Sequence, residues 1–348
     1  MIEDIQADEL YQLKTNNNHV LVDVRSPKEY QEATIPGSVN IPIFSDQERA
    51  VVGTIYKQKG PEAAKEKGLE IFSKKLPDFI REFKKIDMQA TVFCWRGGMR
   101  SKTATTVLGL MGIEVQRLSG GIRAYREWTV ERLNQFEMKP ELFVLNGYTG
   151  SGKTILLDRL KAKGYPVIDL EKLAGHRGSI FGHIGRNPVN QRSFDFALLE
   201  KLLEVQQERF VFIEGESKRI GKVVIPDWFD QKKENSKQIF VHLPVEERVR
   251  NILDDYQPWL NPEQFKEAFH IIKKRLPTNI SKELGEYLDA HDFTKTVELL
   301  LTYYYDSLYD YSTNYPESQK TAFTASNVEE AEEQLVKWVS DRYGSKVK

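Results

Sequence analysis

Cys94, the only cysteine of this 348-residue chain, opens a short loop rich in glycine and arginine. The loop reads Cys-Trp-Arg-Gly-Gly-Met-Arg, and it places Arg96 and Arg100 close to the sulfur. Residues 91–93 predict a strand before the loop, and a helical pattern begins at Ser101. Backbone N–H groups, a helix N-terminus and two guanidiniums around one sulfur would stabilise its thiolate. We therefore predict a nucleophilic Cys94, with Arg96 and Arg100 holding an anion beside it.

The lack of a second cysteine restricts this chemistry. The chain cannot form an intramolecular disulfide or a thiolate zinc site, and it has no resolving thiol. The sulfur would have to attack, carry a group and pass it to an external acceptor. Sulfurtransferases use such a loop to carry a persulfide, and phosphatases use Cys-x5-Arg to carry a phosphoryl group. Five residues separate Cys94 from Arg100, as in the phosphatase loop, so the spacing alone leaves both chemistries open.

The residues before the loop resemble the rhodanese domain. Residues 20–25 predict a buried strand ending in Asp-Val-Arg, and Ser26-Pro-Lys-Glu29 is a capping box with proline at the first helical position. Residues 35–42 then read Ile-Pro-Gly-Ser-Val-Asn-Ile-Pro, and a strand at 114–118 leads to Gly120-Gly121. Ala33-Thr34 replaces the Gly-His of many rhodaneses, which we interpret as a structural difference. Some phosphatases share parts of this pattern, so the fold alone does not decide the chemistry.

A second site is predicted by Gly-Tyr-Thr-Gly-Ser-Gly-Lys-Thr at residues 147–154, a complete phosphate-loop pattern between a strand and a helix. The residues predicted to bind a diphosphate are Gly147, Thr149, Gly150, Ser151, Gly152, Lys153 and Thr154. Lys153 would also act in catalysis through its charge, and Thr154 is a candidate magnesium ligand. The pattern indicates a polyphosphate without identifying it as ATP.

Two further segments carry candidate substrate contacts. Residues 172–194 contain no acid, and their Gly-rich, basic composition suits phosphate or RNA; an ordinary solvated loop is the alternative. The candidates there are Arg177, Ser179, Arg186 and Arg192. Residues 210–214 form an apolar strand that ends in Glu214, a candidate catalytic base or ligand of magnesium-bound water. Ser217 and Arg219 follow, and they would contact a leaving phosphate unless they are only turn residues.

The pattern along the chain predicts an α/β protein of two domains with parallel sheets. We expect a rhodanese-like domain at 1–121 with a charged, partly helical insertion at 45–85, a helical connector at 122–139, and a P-loop NTPase-like domain at 140–348 with a helical C-terminal portion. Strands of the second domain are predicted at 142–146, 167–170, 210–214, 238–243 and 321–326. Tyr303 to Tyr305 are interpreted as core residues, and residues 327–343 as a capped amphipathic helix.

Composition limits the partners. The 50 basic and 51 acidic residues give a net charge of −1, so a nucleic acid would have to meet a local patch. No apolar run has the length of a membrane span, and Met1-Ile-Glu-Asp4 is unlike a targeting peptide. With a single reduced thiol, these features predict a cytoplasmic protein without a membrane or DNA partner.

Four motifs in order resemble the tRNA 2-selenouridine synthase family over essentially the whole chain. They are the Cys94 loop, the phosphate loop, His-Arg-Gly-Ser-Ile-Phe-Gly at 176–182 and Glu-Gly-Glu-Ser-Lys-Arg-Ile-Gly at 214–221. Gly215 departs from the family's acidic motif, which leaves the pairing of Glu214 with Glu216 open.

The resemblance implies an enzyme that replaces the sulfur of wobble 2-thiouridine in tRNA by selenium from selenophosphate, after S-geranylation by geranyl diphosphate. The phosphate loop would bind the diphosphate, and Cys94 would handle selenium. Expected partners are tRNA, both co-substrates and a selenophosphate synthetase; magnesium is the one expected ion, and no tightly bound cofactor is expected. Two alternatives are a sulfurtransferase fused to a true ATPase or kinase, acting by a Cys94 persulfide, and a non-catalytic RNA- or nucleotide-binding module.

Overall fold

The computed structural model describes residues 3–15, 19–308 and 315–344. Contacts divide the chain into two units: Met1–Phe136 with Asp195–Leu199, and Glu137–Phe194 with Glu200–Lys348. Each unit contains a five-stranded parallel sheet with helices, which confirms the predicted fold class. The outer ends of the predicted domains, residues 1 and 348, lie outside the described residues. The boundaries drawn at 121 and 140 stay a prediction.

The first unit is a parallel sheet in the order β1-β5-β4-β2-β3. Its strands are β1 Glu3–Ile5, β2 His19–Asp23, β3 Val39–Asn40, β4 Gln89–Phe93 and β5 Val115–Leu118. Its helices are α1 Ala7–Thr15, α2 Pro27–Glu32, α3 Asp46–Lys59, α4 Pro61–Phe83, α5 Met99–Leu110 and α6 Gly121–Asn134. The central strands β2 and β4 bury their apolar residues, which include Leu21 and Val22 of β2 and Val92 and Phe93 of β4, as expected of a parallel sheet covered on both faces.

A buried ion pair fixes the carboxyl end of β2. Arg25 and Asp23 are 1% and 0% exposed, and Arg25 Nη2 lies 2.6 Å from Asp23 Oδ2. The same guanidinium donates to the carbonyl of Ala33, and the Thr34 hydroxyl donates to Asp23 at 2.9 Å. The predicted capping box is present, since Ser26 and Glu29 cap each other's backbone at the start of α2. Ala33-Thr34 is therefore a structural part of this network.

The charged insertion folds into two helices, α3 and α4. A second capping box, Ser45 with Glu48, begins α3, and Gly60 separates the two helices. One face of α4 buries Phe72, Phe79 and Phe83 in the hydrophobic core that also contains residues of β2 and β4. Burial of these rings explains why so charged a segment is ordered, because a helix gains most of its stability from its packed face.

The helix predicted as a connector, α6, packs within the first unit. Ile122 and Tyr125 are each 1% exposed and join a core cluster with Ile5 and Leu10. The backbone N–H of Ile122 also donates to the carbonyl of Cys94 at 2.9 Å. The start of α6 is thus bonded directly to the cysteine loop.

The second unit is a parallel sheet in the order β12-β11-β6-β8-β7, with a separate antiparallel hairpin of β9 and β10. The strands are β6 Glu141–Asn146, β7 Val167–Ile168, β8 Phe210–Glu214, β9 Arg219–Ile220, β10 Val223–Val224, β11 Lys237–His242 and β12 Lys320–Thr324. The helices are α7 Lys153–Ala162, α8 Leu170–Ala174, α9 Gln191–Glu204, α10 Asp227–Glu234, α11 Val245–Tyr256, α12 Pro262–Ile272, α13 Thr278–Asp289, α14 Phe293–Leu300 and α15 Val328–Tyr343. Short 3₁₀-helices occupy Pro258–Leu260, Lys273–Arg275 and Glu317–Gln319, and Leu301–Tyr305 is a π-helix.

The five predicted strands of this unit are present with small shifts. The strand predicted at 167–170 ends at Ile168, because the Asp169 side chain accepts the Lys172 N–H and begins a helix. Tyr304 is 5% exposed in the helical core, as predicted, whereas Tyr303 is 47% exposed. Within residues 3–15, 19–308 and 315–344, no helix combines the length and apolarity needed to cross a bilayer.

Candidate functional site

Cys94 lies at the carboxyl edge of the first sheet, directly after β4. The loop is shorter than the sequence pattern indicated, because α5 begins at Met99 with Gly98 at its N-cap. Cys94 is 3% exposed, and its Sγ lies 3.2 Å from the hydroxyl of Ser101 in the first turn of α5. The sulfur therefore sits at a helix N-terminus beside a hydroxyl that can donate to a thiolate.

The two predicted arginines occupy different environments. Arg100 forms a two-point ion pair with Glu29, with 3.1 Å between Nη2 and Oε1, whereas Arg96 is exposed. Burial alone would raise the pKa of Glu29, but the hydrogen bond and charge of Arg100 hold that pKa below its ordinary value. Arg100 is thus held by a carboxylate, and the joint role of Arg96 and Arg100 toward an anion stays a prediction.

A third arginine near the loop escaped the sequence analysis. Arg117 of β5 donates to the carbonyl of Gly97 at 3.2 Å and pairs with Asp4 of the neighbouring strand β1. Its hydrogen bond with Asp4 raises the pKa of Arg117, and the nearby charge of Cys94 contributes in the same direction. The loop motif carries no signal for this residue, since the pairing of β4 with β5 brings Arg117 to the loop.

Gly121 closes the loop against the start of α6. Its φ is +62°, and a Cβ there would lie 2.2 Å from the carbonyl oxygen of Cys94. A side chain of any kind would displace the backbone that carries the sulfur. The Gly120-Gly121 pair noted in the sequence is therefore part of the cysteine site.

The phosphate loop connects β6 to α7 in the second unit. Lys153 Nζ donates to the carbonyl of Gly147 at 2.9 Å, and the Thr154 hydroxyl donates to Glu171 at 3.2 Å. Gly150 has φ +83°, and a Cβ there would lie 2.6 Å from the carbonyl of Arg248. The loop backbone is thus closely covered by α11, which leaves its N–H side for a ligand.

Helix α11 supports the outside of the phosphate loop. Arg248 Nε donates to the carbonyl of Thr149 at 2.9 Å, and Asn251 donates to that of Gly150 at 3.0 Å. Arg248 also forms a 2.5 Å ion pair with Asp306. These contacts fix carbonyls away from the anion site, and the sequence analysis missed both side chains, which lie about 100 positions from the loop.

Two buried polar atoms at this site have no hydrogen-bond partner in the described part of the chain: the Ser151 hydroxyl and Glu214 Oε1. Both residues are 1% exposed. Buried polar atoms are seldom left unpaired, since each costs about 1–3 kcal/mol. A loop of glycines, a lysine and an unpaired hydroxyl suits a bound phosphate group, as the sequence predicts.

Four carboxyl groups lie around the phosphate loop: Asp169, Glu171, Glu214 and Glu216. The backbone N–H of Glu171 donates to Glu214 at 3.0 Å. Burial, with the charges of Asp169 and Glu171, raises the pKa of Glu214 well above its ordinary value. Burial and the charge of Glu216 raise the pKa of Glu171 to about 8. Of these groups the sequence analysis assigned a role to Glu214 alone, although Glu171 also follows a strand end.

Oxygen donors suited to magnesium lie beside the phosphate loop. Thr154 and Glu171 supply hard oxygen donors of the type this ion prefers. No group of three or more His, Cys, Asp or Glu side chains that could hold a metal occurs among the described residues. These oxygens therefore fit a magnesium ion that takes its remaining ligands from phosphate and water.

The acid-free segment is partly structural. Arg177 is 7% exposed, pairs with Asp255 at 2.6 Å and lies 4.3 Å from the centre of the Tyr256 ring. Arg186 reaches the same carboxylate at 3.5 Å. Phe181 and Ile184 of this segment are buried in the helical core. The segment is therefore no ordinary solvated loop, and substrate binding by its arginines stays a prediction.

The remaining candidates are Ser217, Arg219 and Arg192. The Ser217 hydroxyl donates to the carbonyl of Arg219 at 2.7 Å, and both residues are exposed, Ser217 just before β9 and Arg219 at its first position. Arg192 lies in the first turn of α9. The structure thus places Lys153, Thr154 and Glu214 together, whereas contact of Ser217, Arg219 and Arg192 with a phosphate stays a prediction.

An apolar pocket adjoins the phosphate loop. Thr149 and Ser179 line this pocket together with aromatic and aliphatic side chains from the helical portion. The apolar residues include Phe181, Tyr256, Phe265, Phe293, Leu300 and Leu301. Its free space is about 40 Å³. A hydrocarbon group of any length could enter only if the surrounding helices moved apart.

The fold and these two loops define a protein that joins a rhodanese-like domain to a P-loop domain. Residues 6–127 match the rhodanese-like domain, and residues 140–343 match the tRNA 2-selenouridine synthase AAA domain. The chain belongs to the tRNA 2-selenouridine synthase family.

Relatives named tRNA 2-selenouridine synthase cover much or all of the chain. The protein of Shewanella sediminis is 30% identical over 99% of this chain and 100% of its own length. That of Shewanella woodyi is 32% identical over 89% and 92%. The Nitrosomonas europaea protein is 38% identical, and the match spans 68% of this chain and 63% of that protein. Among solved structures, an N-terminal domain from Clostridium difficile 630 matches 37% of this chain and 99% of its own, at 34% identity and a TM-score of 0.35.

Proposed function

We propose that this protein replaces the sulfur of wobble 2-thiouridine in tRNA by selenium, with selenophosphate as donor and an S-geranylated tRNA as intermediate. Its family membership supports the selenation of tRNA. Two separate anion-binding loops, each on its own sheet, support a reaction of two stages.

The first stage uses the phosphate loop. The thiocarbonyl sulfur attacks the first carbon of geranyl diphosphate, the carbon–oxygen bond breaks, diphosphate leaves and N3 of the base loses its proton. Lys153 and the loop N–H groups stabilise the charge that grows on the departing diphosphate. A magnesium ion bound by Thr154 and Glu171 would neutralise more of that charge.

The second stage uses the cysteine loop. Selenium attacks C2 of the base, the C2–S bond breaks and geranylthiolate leaves; water then cleaves the selenium–phosphorus bond and releases phosphate. The N-terminus of α5 and the Ser101 hydroxyl beside Cys94 provide donors for the anionic selenophosphate or for a selenium carried on the sulfur. Geranylation assists this stage, because an alkylated sulfur leaves more readily than the sulfur of a thiocarbonyl.

The observation that carries the prenyl part of the proposal is the apolar pocket at Thr149. A phosphate loop that is bordered by Phe181, Tyr256 and Phe265 suits a diphosphate ester of a hydrocarbon better than one of a polar nucleoside. Opening of the helical portion would make room for the chain.

The test is nucleoside mass spectrometry after incubation of the protein with 2-thiouridine tRNA, with geranyl diphosphate and with or without selenophosphate. We expect S-geranyl-2-thiouridine without selenophosphate and 2-selenouridine with it. Lys153→Ala should abolish the first product, and Cys94→Ser should stop the reaction after it. Unchanged 2-thiouridine together with ATP hydrolysis would instead support an ATP-coupled sulfurtransferase acting by a Cys94 persulfide.

A further inference from the structure

A large apolar cleft lies in the first unit. It has a volume of about 1000 Å³, which is at the upper end of the range of about 300–1,000 Å³ found for ligand pockets. Residues of α3, α4 and the start of α5 line it. Its walls include Phe44, Val52, Ala64, Gly68 and Phe72.

Several large apolar side chains at this cleft are exposed. Leu69 is 67% exposed, Tyr56 60% and Met99 56%, and all three line it. Single exposed apolar residues need no explanation, but a group of them around one concave surface indicates a binding site for an apolar group.

The charged side chains that line the cleft are basic, and one of them, Lys65, pairs with Glu62 at 2.7 Å. Arg49, Lys57, Lys65 and Arg100 line it, and no Asp or Glu is among its lining residues in the described chain. Arg49 also lies 3.7 Å from Glu29, the carboxylate that pairs with Arg100. A ligand that matches this cleft has a hydrocarbon part and carries negative charge nearby.

The cleft borders the helix start that contacts the cysteine. Met99 and Arg100, in the first turn of α5, line it, and Ser101, the next residue, contacts the sulfur of Cys94 at 3.2 Å. The wall of the cleft and the contact to the reacting sulfur therefore belong to the same helix turn.

We propose that this cleft binds the hydrocarbon chain of the S-geranylated tRNA during the selenation stage, with the tRNA phosphates facing its basic rim. This inference rests on the proposed function and goes beyond it, because it assigns recognition of the intermediate to α3 and α4. The bound geranyl chain places C2 of the base at the Cys94 loop. After the C2–S bond breaks, the geranyl group leaves the cleft as geranylthiol.

The test compares two preformed tRNAs, one with S-geranyl-2-thiouridine and one with S-methyl-2-thiouridine, for binding and for conversion by selenophosphate. Both have an alkylated sulfur as leaving group, so they differ in the hydrocarbon alone. Wild-type protein should bind the geranylated tRNA at least tenfold more tightly than the methylated one, since several buried methylenes separate them.

Two variants remove the cleft's apolar volume. Gly53→Leu fills it, and a Cβ at Gly53 meets only the flexible end of Arg49. Leu69→Glu puts a charge on its wall at an exposed position. Leu110→Glu is the matched control, because Leu110 is 80% exposed on α5 and does not line the cleft. Thermal melting of each variant checks that it folds.

We expect Gly53→Leu and Leu69→Glu to reduce affinity for the geranylated tRNA about tenfold, with a matching rise in KM, and to leave the methylated tRNA and the geranylation stage unchanged. Leu110→Glu should behave as wild type. Equal binding of both tRNAs by wild type, or variants that affect both tRNAs alike, would overturn the inference and assign the cleft to another occupant, such as an apolar segment of a protein. If wild type prefers the geranylated tRNA without converting either one, the proposed function fails while the binding site stands.

Discussion

The Glu171 side chain accepts a hydrogen bond beside the phosphate loop and also has a raised pKa. It accepts the Thr154 hydroxyl beside the phosphate loop, yet burial and the charge of Glu216 raise its pKa to about 8. Three more carboxyl groups, Asp169, Glu214 and Glu216, also have raised pKa values. The charge of Lys153 offsets part of this effect, since it lowers the pKa of Glu171 and that of Glu216.

We predict that Glu171 makes the protein less stable as the pH rises. The ordinary pKa of 4.5 applies to the unfolded chain and about 8 to the folded one, so between these values the folded state binds more protons. Stability therefore falls as the pH increases through this window. Glu171→Gln should flatten that fall and raise the melting temperature at pH 8, as measured by thermal unfolding from pH 5 to 9. The exposed Glu333→Gln is the control, and parallel curves for Glu171→Gln and wild type would contradict the prediction.

Individual site residues were predictable where a local motif carries them. Cys94, Lys153 and Thr154 belong to contiguous patterns whose spacing reflects the loop's chemistry. Arg117, Glu29 and Arg248 act across strands or helices far apart in the sequence, and no local pattern indicates their contacts. The place of Glu171 in the site could have been predicted from the sequence, since this residue follows β7 at the same sheet edge as the phosphate loop.

At the scale of elements, the turn from β5 into α6 determines the shape of the cysteine loop. Gly121 lies under the carbonyl of Cys94, and the N–H groups of Ile122 and Arg123 donate to Cys94 and Trp95. The first residues of α6 therefore hold the cysteine loop in place together with the start of α5.

Replacing each of two glycines by alanine should distinguish the effect of a steric clash on stability from that of backbone strain. Gly121 and Gly112 both have positive φ, +62° and +72°, but a Cβ at Gly112 has no neighbour within 4 Å. Gly112→Ala should cost about 1 kcal/mol of stability through its backbone conformation alone. Gly121→Ala should cost at least twice that and also slow alkylation of Cys94, as followed by urea unfolding and thiol labelling. Equal losses in the two variants would show that the contact with Cys94 has no effect.

Elements with strong local signals were predicted well. The Ser26–Glu29 capping box and the apolar strands β2, β6 and β8 follow from composition and spacing, and the C-terminal helix begins at its Asn327 cap. The start of α5 was placed two residues late, because Met99 and Arg100 read as loop while Gly98 in fact caps the helix. The cleft between α3 and α4 could not be predicted, since periodicity identifies a helix's apolar face and not the space beside it.

In the whole molecule, the two candidate sites belong to separate parallel sheets and use separate loops. The intermediate of the proposed reaction is attached to tRNA, not to the protein, so the two stages need not occur on the same polypeptide. The two functions should then be separable by substitution.

Mixing two inactive variants should restore selenation. Cys94→Ser retains the phosphate loop, and Lys153→Ala retains the cysteine loop. Together they should convert 2-thiouridine tRNA to 2-selenouridine tRNA, although neither does so alone, because released geranylated tRNA moves from one to the other. The product is measured by nucleoside mass spectrometry. The control is a mixture of the Cys94→Ser variant with a double variant that carries both Cys94→Ser and Lys153→Ala. No product from the mixture would mean that the intermediate stays on one chain.

The near-complete burial of Cys94 limits which reagents can oxidise its sulfur. A thiol that is 3% exposed is accessible to small reagents but not to a bulky disulfide such as oxidised glutathione. Because the chain has no other cysteine, a sulfenic acid formed at Cys94 could be rescued only by an outside reductant small enough to enter. The same packing that directs the sulfur into its loop therefore selects its oxidants by size.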